Sequence, residues 1–299
     1  MNMNKKKSIN ADMVFYISML AWPVLQLLVF YIIVNLNSFA LAFEQIDGTT
    51  GAISFAGFSN FIKLFNDLVS LPEFVYSIKN SLVYYFISLL IHIPLGLVFA
   101  YYVYKKNILG GMFKVVLFLP AIIPIMVTST MYAYFVDGFV PVFLNNVLGT
   151  NLKLLFTNNK LISVYVFNVF MGFGGAMLMY LGAMNNISCD VIEAAQIDGV
   201  NPFHEFFFIV MPQIFSTVSV FLITGVAGIF TNQMNLFTFF DKNLDPINYS
   251  MGYYLYKNLL YGGETGYPYL SSLGLVITVV VAPIVIGLRR LFNKIDPMN

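Results

Sequence analysis

Apolar residues gather along the chain into six long runs, approximately Met13–Leu36, Ser81–Tyr104, Val115–Val136, Leu161–Met184, Gln213–Thr231 and Leu270–Leu288. A hydrocarbon core of about 30 Å is crossed by roughly 20 helical residues, so each run is close to the length of a membrane span. None shows the alternation of a barrel strand, and a backbone in lipid must bond to itself, so the runs predict helices. Trp22, Tyr31, Tyr84, Tyr85, Tyr101, Tyr102, Tyr132 and Tyr134 mark their edges, where amphipathic rings prefer the interface.

Composition supports this pattern. Hydrophobic residues make up 59% of the 299 and charged residues 10%, against about 25% charged in a soluble domain. So little charge cannot cover a water-facing surface. The net charge of +1 gives no electrostatic reason for a nucleic-acid partner. One cysteine, Cys189, excludes an internal disulfide framework. The 21 glycines and 12 prolines are scattered through the apolar runs, and no low-complexity linker divides the chain, which reads as a single transmembrane domain over 1–299.

Lys5-Lys6-Lys7 before the first run, with Ala40-Leu41-Ala42 after it, has the look of a secretory leader. The apolar stretch between them is too long for the h-region of such a leader, so it reads as a retained anchor. Cations set the orientation. Nine of the 15 Lys and Arg fall in segments 1–12, 105–114, 185–212 and 289–299, the shorter set of connections, which places both termini in the cytoplasm. His92 beside Pro94 reads first as a side chain filling the hydrogen bond freed by that proline, and His204 as a solvated residue of the fourth connection.

That fourth connection, 185–212, has no cation but the most specific pattern in the chain: Glu193-Ala194-Ala195-Gln196-Ile197-Asp198-Gly199, nine residues, then Ile209-Val210-Met211-Pro212. Asp190 suits the N-cap of a short helix, with Glu193 completing a weak capping box. Ala194 and Ala195 permit close approach of another surface. Gly199 offers a left-handed exit, and Pro202 restarts a helix that Phe203, Phe206, Phe207 and Phe208 carry toward the bilayer.

This pattern resembles the EAA motif of binding-protein-dependent ABC importers, with Met211 where the family usually has Leu, a volume-conserving change. The resemblance extends over most of residues 10–295 and is closest to carbohydrate permeases of the maltose and glycerol-phosphate type. Phe55-Ala56-Gly57-Phe58-Ser59-Asn60-Phe61, Leu119-Pro120 and the Asn145-Asn146 region are similar to theirs. It implies an all-α membrane protein with the six-helix type I ABC importer permease (MetI-like) fold, in a bacterial plasma membrane. It further implies that Glu193, Ala194, Ala195, Asp198 and Gly199 form a coupling helix seated on a separate ATPase. Glu193 would meet basic or polar groups, both alanines would pack in the ATPase cleft, and Gly199 would form the turn. Implied partners are a second, homologous permease in a heterodimer, two ATPase subunits and an extracellular solute-binding protein delivering a carbohydrate. The chain has no phosphate-binding G-x-x-x-x-G-K-[ST] loop, so it is expected to bind no cofactor and to be no enzyme; ATP-Mg belongs to the partner ATPase.

Candidates for the substrate pathway are neutral. Thr224, Gly228, Asn232 and Asn235 follow one another at spacings of four, four and three, as on one helical face, with Gln233 adjacent. Asn168 and Gly172 lie four apart in the fourth run, and the resemblance places Gly172 and Asn232 at sugar-lining positions. Amides offer the donors and acceptors that sugar hydroxyls need. Glycine and threonine also mediate helix packing, and asparagine bonds between helices, so both readings stand at this stage. An ion-coupled transporter or channel would need ionisable groups deep in the spans. Asp137, Glu193 and Asp245 are expected at span ends or in loops. An intramembrane enzyme would need a metal-spaced or paired-carboxylate cluster, and the sequence presents none.

Overall fold

The computed structural model describes residues 11–149 and 160–296; the Lys5-Lys6-Lys7 cluster lies outside them. Its chain groups into two compact units, one comprising the residues up to Phe65 with Gly263–Val276, the other Asn66–Gly262 with Ile277–Asn299.

Helix α1 (Met13–Leu41) keeps its side chains exposed over its apolar window, as a helix bathed in lipid does. It continues through Ala40-Leu41 into a fully buried Ala42. An antiparallel hairpin follows, β1 (Glu44–Ile46) and β2 (Ile53–Phe55), the only sheet among the described residues. Its turn is closed by Asp47, whose carboxylate accepts from the Thr49 hydroxyl and from the backbone of Thr49 and Thr50, bonds that hold its pKa below the ordinary aspartate value. The Phe55–Phe61 stretch has a structural explanation. Gly57 turns the chain with φ +57°, and Asn60 Nδ2 donates to the carbonyls of Ala42 and Glu44, tying the start of α2 (Ser59–Ser70) to the hairpin.

The larger unit is built on α3 (Pro72–Tyr104), α4 (Gly110–Ile122), α5 (Ile125–Val147) and α6 (Lys160–Met184). After them come α7 (Cys189–Ile197), α8 (Pro202–Gln213), α9 (Phe215–Ala227), α10 (Leu236–Phe240) and α11 (Met251–Tyr261). The last helix, α12 (Glu264–Ile295), runs through parts of both units. Five helices are long and apolar enough to span a membrane, and six if α8 and α9 are one broken span. Helix α6 is the most enclosed of them. Its buried positions Ser163, Phe167, Gly174, Met177, Leu181 and Met184 recur at helical spacing. Small residues let its neighbours approach. A Cβ at Gly174 would lie 1.9 Å from the Leu117 carbonyl of α4, and one at Gly96 of α3 would lie 3.1 Å from the Tyr180 ring.

Two expected spans differ from single straight helices. The run Val115–Val136 is divided between α4 and α5, because Pro124 forces Ile123 into an extended conformation (φ −78°, ψ 135°). Asp137 consequently lies within α5 and not at a span end. The run Gln213–Thr231 is occupied by α9, which ends at Ala227 and meets α8 at a 73° bend.

Three of the four π segments among the described residues share one cause, Leu27–Ile33 in α1 being the exception. Ser88–His92, Phe135–Phe139 and Phe206–Val210 each end two residues before a proline, Pro94, Pro141 and Pro212. In each, the residue just before the proline donates five residues back: Ile93 to Ser88, Val140 to Phe135 and Met211 to Phe206. A proline cannot donate to the carbonyl four residues back and its ring crowds that carbonyl, and widening the preceding turn accommodates both. His92 therefore does not fill the bond freed by Pro94. Its Nδ1 lies 3.3 Å from Ser88 Oγ, and its ring packs 3.1 Å from where a Cβ at Gly172 would stand.

Candidate functional site

The Glu193–Gly199 helix forms as expected but is capped differently. Ser188, with ψ 132°, is the N-cap and makes no side-chain bond; the helix opens at Cys189. Asp190 thus lies in the first turn, where its charge suits the helix dipole, and the capping box with Glu193 is not made. The buried Ile187 and Ile192 on either side of the start draw the chain into the helix early.

The C-terminus follows the sequence closely. Gly199 has φ +71°, its N–H donates to Gln196 O at 3.1 Å, and the Val200 N–H donates to Ala195 O at 3.0 Å, the paired bonds of a Schellman turn. Asn201 then caps the next helix by accepting from the His204 N–H at 2.7 Å, with Pro202 in its first turn. His204 is exposed and stacks on Phe208 at 4.3 Å. Pro212 adds the π turn before it and leads into the bend at Ile214.

The helix α7 has two unlike faces. Ile192 and Ala195 turn inward, and Ile192 joins a core of Leu97, Met177, Tyr180, Met184, Phe206 and Val210. Ala195 is therefore packed within this chain, against the expectation that both alanines enter a partner's cleft. Glu193, Ala194, Gln196, Asp198 and Gly199 are exposed, and Ile197 stands 85% exposed beside them. The outward face of α7 thus carries two acids, an amide, one alanine and one isoleucine.

Sequence reasoning missed Glu205. It sits three residues past the Asn201–Pro202 restart and is 2% exposed. Both its carboxylate oxygens accept from Lys105 Nζ, at 2.9 and 3.0 Å, and Oε1 also lies 3.1 Å from the Tyr101 hydroxyl. The Tyr101 hydroxyl is within 3.1 Å of Pro202 O too, and its ring packs on Phe206 at 4.9 Å. A carboxylate this buried persists only with such compensation. The available signal was a lone acid inside the run Phe203–Phe208, with cations 105 and 106 ending the second span.

The expected helical face of Thr224, Gly228, Asn232 and Asn235 does not exist. Helix α9 stops at Ala227, Gly228 serves as its C-cap, and the N–H groups of Thr231 and Asn232 both turn back to Gly228 O. Met234 and Asn235 are left-handed, with φ +54° and +56°. The Thr224 hydroxyl bonds within its own helix, to Val220 O and Phe221 O. Tertiary bonds overrule the helical spacing. Asn168 Nδ2 donates to Met234 O at 3.0 Å, while Asn235 Nδ2 donates to Asn168 Oδ1 at 2.7 Å. Asn232 Oδ1 accepts from the Met234 N–H at 2.7 Å. The structure thus brings Asn168, Asn232 and Asn235 together with Gln233 around one irregular turn. Gly172, one helical turn from Asn168, lies beneath His92. Asn232 is exposed, and Gln233 Oε1 is buried with no hydrogen-bond partner among the described residues. Among those residues there is no group of three His, Cys, Asp or Glu able to hold a metal ion.

The chain is 28% identical over 269 residues to the arabinooligosaccharides transport system permease protein AraP of Bacillus subtilis, covering 86% of this chain and 82% of the relative. It is 25% identical over 243 residues to the lactose transport system permease protein LacF of Rhizobium radiobacter, covering 77% and 78%. Its fold matches a chain of a bacterial ABC transporter involved in the import of the acidic polysaccharide alginate, with TM-score 0.76, 22% identity and coverage of 96% and 97%. A second alginate transporter structure, solved in complex with a pentasaccharide-bound periplasmic protein, gives TM-score 0.77 at 22% identity over 99% of both chains. The family model for the binding-protein-dependent transport system inner membrane component matches residues 92–298, more than half of the chain and all of the Glu193–Pro212 pattern, and the chain belongs to that family.

Proposed function

We propose that this chain forms half of the translocation pathway of an ATP-driven carbohydrate importer, probed from outside by a solute-binding protein and driven from inside by a separate ATPase. The observation that carries the reading is α7, a short helix with one face anchored in the core and the other, Glu193 to Gly199, exposed and closed by a left-handed glycine. It has the form of a handle for a force supplied elsewhere. Glu193, Ala194, Asp198 and Gly199 meet the ATPase, while Ala195 holds the handle to its own chain. Both termini are cytoplasmic, and the membrane is the plasma membrane of a bacterium. A homologous permease completes the pathway as a heterodimer, and two ATPase subunits use ATP-Mg.

A carbohydrate suits the neutral amides of Asn168, Asn232, Gln233 and Asn235. The names of the relatives concern arabinooligosaccharides and lactose, and the solved neighbours import alginate. Gly172, Thr224 and Gly228 line the approach to this turn. The test is reconstitution of the assembled transporter in liposomes with its binding protein. Glu193→Lys and Gly199→Asp are expected to reach the membrane yet lose most of the ATPase stimulation given by the loaded binding protein. Normal uptake in both variants, or uptake by the purified chain without any ATPase, would refute the reading.

A further inference from the structure

Helix α3 is fastened at Lys105 to the restart after α7 and, through Asn80 and Ser81, to residues 247–251, which pack on the Asn232 turn. At its Lys105 end, the paired oxygens of Glu205 hold Lys105 and the Tyr101 hydroxyl, fixing the restart after the Schellman turn to the last turn of α3. At its other end, Asn80 Nδ2 donates to the carbonyls of both Ile247 and Tyr249 at 2.9 Å, and Ser81 Oγ accepts from the Met251 N–H at 3.0 Å. Asn80 and Ser81 are 7% and 2% exposed, so these bonds are shielded from competing water. Beyond them, the Ser250 hydroxyl donates to Asn232 O at 3.3 Å. Gly252 lies so close to the Thr231–Asn232 backbone that a Cβ would stand 2.5 Å from it. Residues 80 and 105 are separated by about 37 Å of helix.

We propose that α3 is a transmission rod between the coupling helix and the Asn232 turn, with Glu205 as the positioning residue that joins the rod to the coupling loop through Lys105, and Asn80 as its counterpart at the far end. The inference rests on the importer reading and adds the route by which movement of α7 reaches the substrate-facing turn. A salt bridge with two acceptor oxygens and a second donor, the Tyr101 hydroxyl, resists sliding as well as separation, which a transmitting joint requires. The apolar contacts of Ile192 and Phe206 in the same core resist separation alone. The alternative route through the 73° bend between α8 and α9 runs through a helix break, and α9 ends short of Asn232. Contiguity becomes coupling when breaking either joint abolishes the response at the far end.

The experiment uses the assembled transporter in nanodiscs, with Cys189→Ser as background and Ile247→Cys, whose parent side chain is 55% exposed, as a reporter. The rate of maleimide labelling at position 247 is compared with and without ATP-vanadate trapping, per assembled complex. The parent is expected to change its labelling rate at least about 5-fold on trapping, whereas Glu205→Ala and Asn80→Ala label at the same rate in both states while still hydrolysing ATP. Glu205→Asp restores part of the response. A merely structural Glu205 would lower the yield of complex but leave the response of each assembled complex intact, and that result overturns the proposal. Should Glu205→Ala fail to assemble, Glu205→Gln and Asn80→Ala carry the same decision. A parent chain that assembles with no ATPase refutes the importer reading itself, a different outcome from an intact response in the variants.

Discussion

The Ser188–Pro212 loop and the Gly228–Met251 segment both connect longer helices, yet they are held in opposite ways. The loop from Ser188 to Pro212 is shaped mostly from within: Gly199 closes one helix, Asn201 and Pro202 open the next, and Pro212 sets the bend. The segment from Gly228 to Met251 is shaped from outside. Asn80, Ser81 and Asn168, all on distant helices, hold its carbonyls and N–H groups, and Met234 and Asn235 take left-handed conformations under that constraint. A self-shaped loop can move as one body and press on a partner. A segment held by other helices moves when they do, as the proposed substrate-facing turn would have to.

The sharpest way to break the contrast is Gly252→Ala. Its Cβ would meet backbone atoms of Thr231 and Asn232 at 2.5 Å, which no side-chain rotation relieves. A loss of about 3 kcal/mol is expected, read as a clear fall in melting temperature of the detergent-solubilised protein by fluorescence-detected size exclusion. A melting temperature unchanged from the parent would show that the two backbones are not packed as described.

Asn168→Ala comes next. It removes the donor to Met234 O and the acceptor for Asn235 without a clash, and interhelical polar bonds in membranes contribute about 1 to 2 kcal/mol in total for such a pair. Asn168→Gln keeps a neutral amide with both a donor and an acceptor. If the turn is held from α6, the alanine variant loses more uptake than the glutamine variant. Equal uptake in the two would mean that Asn235 is held by something else.

Gly199→Ala tests the self-shaped loop and should cost about 1 kcal/mol, because the added Cβ meets open space and only its φ of +71° is disfavoured. Its signature is therefore a small change in melting temperature with a larger loss of stimulated ATPase, the reverse of Gly252→Ala. A melting-temperature loss as large as that of Gly252→Ala would place Gly199 in a tertiary contact it does not make here.

This division also explains what the sequence disclosed. Helical spans, the left-handed Gly199 and the restart at Pro202 depend on residues close in the chain, and each is readable from spacing and turn chemistry. The break at Ile123 was readable too, since Pro124 disfavours helix in the residue before it, but length alone obscured it. The face expected for Thr224 through Asn235 failed because helical spacing has meaning only while the helix lasts. The bonds that hold the turn beyond it come from Asn168, 66 residues from Met234. Glu205 shows the same limit. Its burial is evident from the surrounding phenylalanines, but its partner Lys105 lies 100 residues away, and only the fold selects it from the other cations.

The smallest expected effect belongs to Asp245, at the edge of the externally held segment. Lys160, the first residue of α6, donates to Asp245 Oδ2 at 2.6 Å, and that bond together with the lysine's charge holds the carboxyl below its ordinary value of 3.8. A cation at a helix N-terminus is opposed by the helix dipole, so Asp245 offsets a local disadvantage as well as forming a pair. The side chain is 62% exposed, and screening keeps the contribution small. Because the folded pKa is depressed, the stabilisation is complete above the unfolded aspartate value and is lost as pH falls through the folded one. The melting-temperature difference between parent and Asp245→Asn should therefore be slight and constant from neutral pH down to about 4, shrink below that, and shrink also in high salt. A difference that grows on acidification, or that salt leaves untouched, would mean that the segment depends on Asp245 through something other than this ion pair.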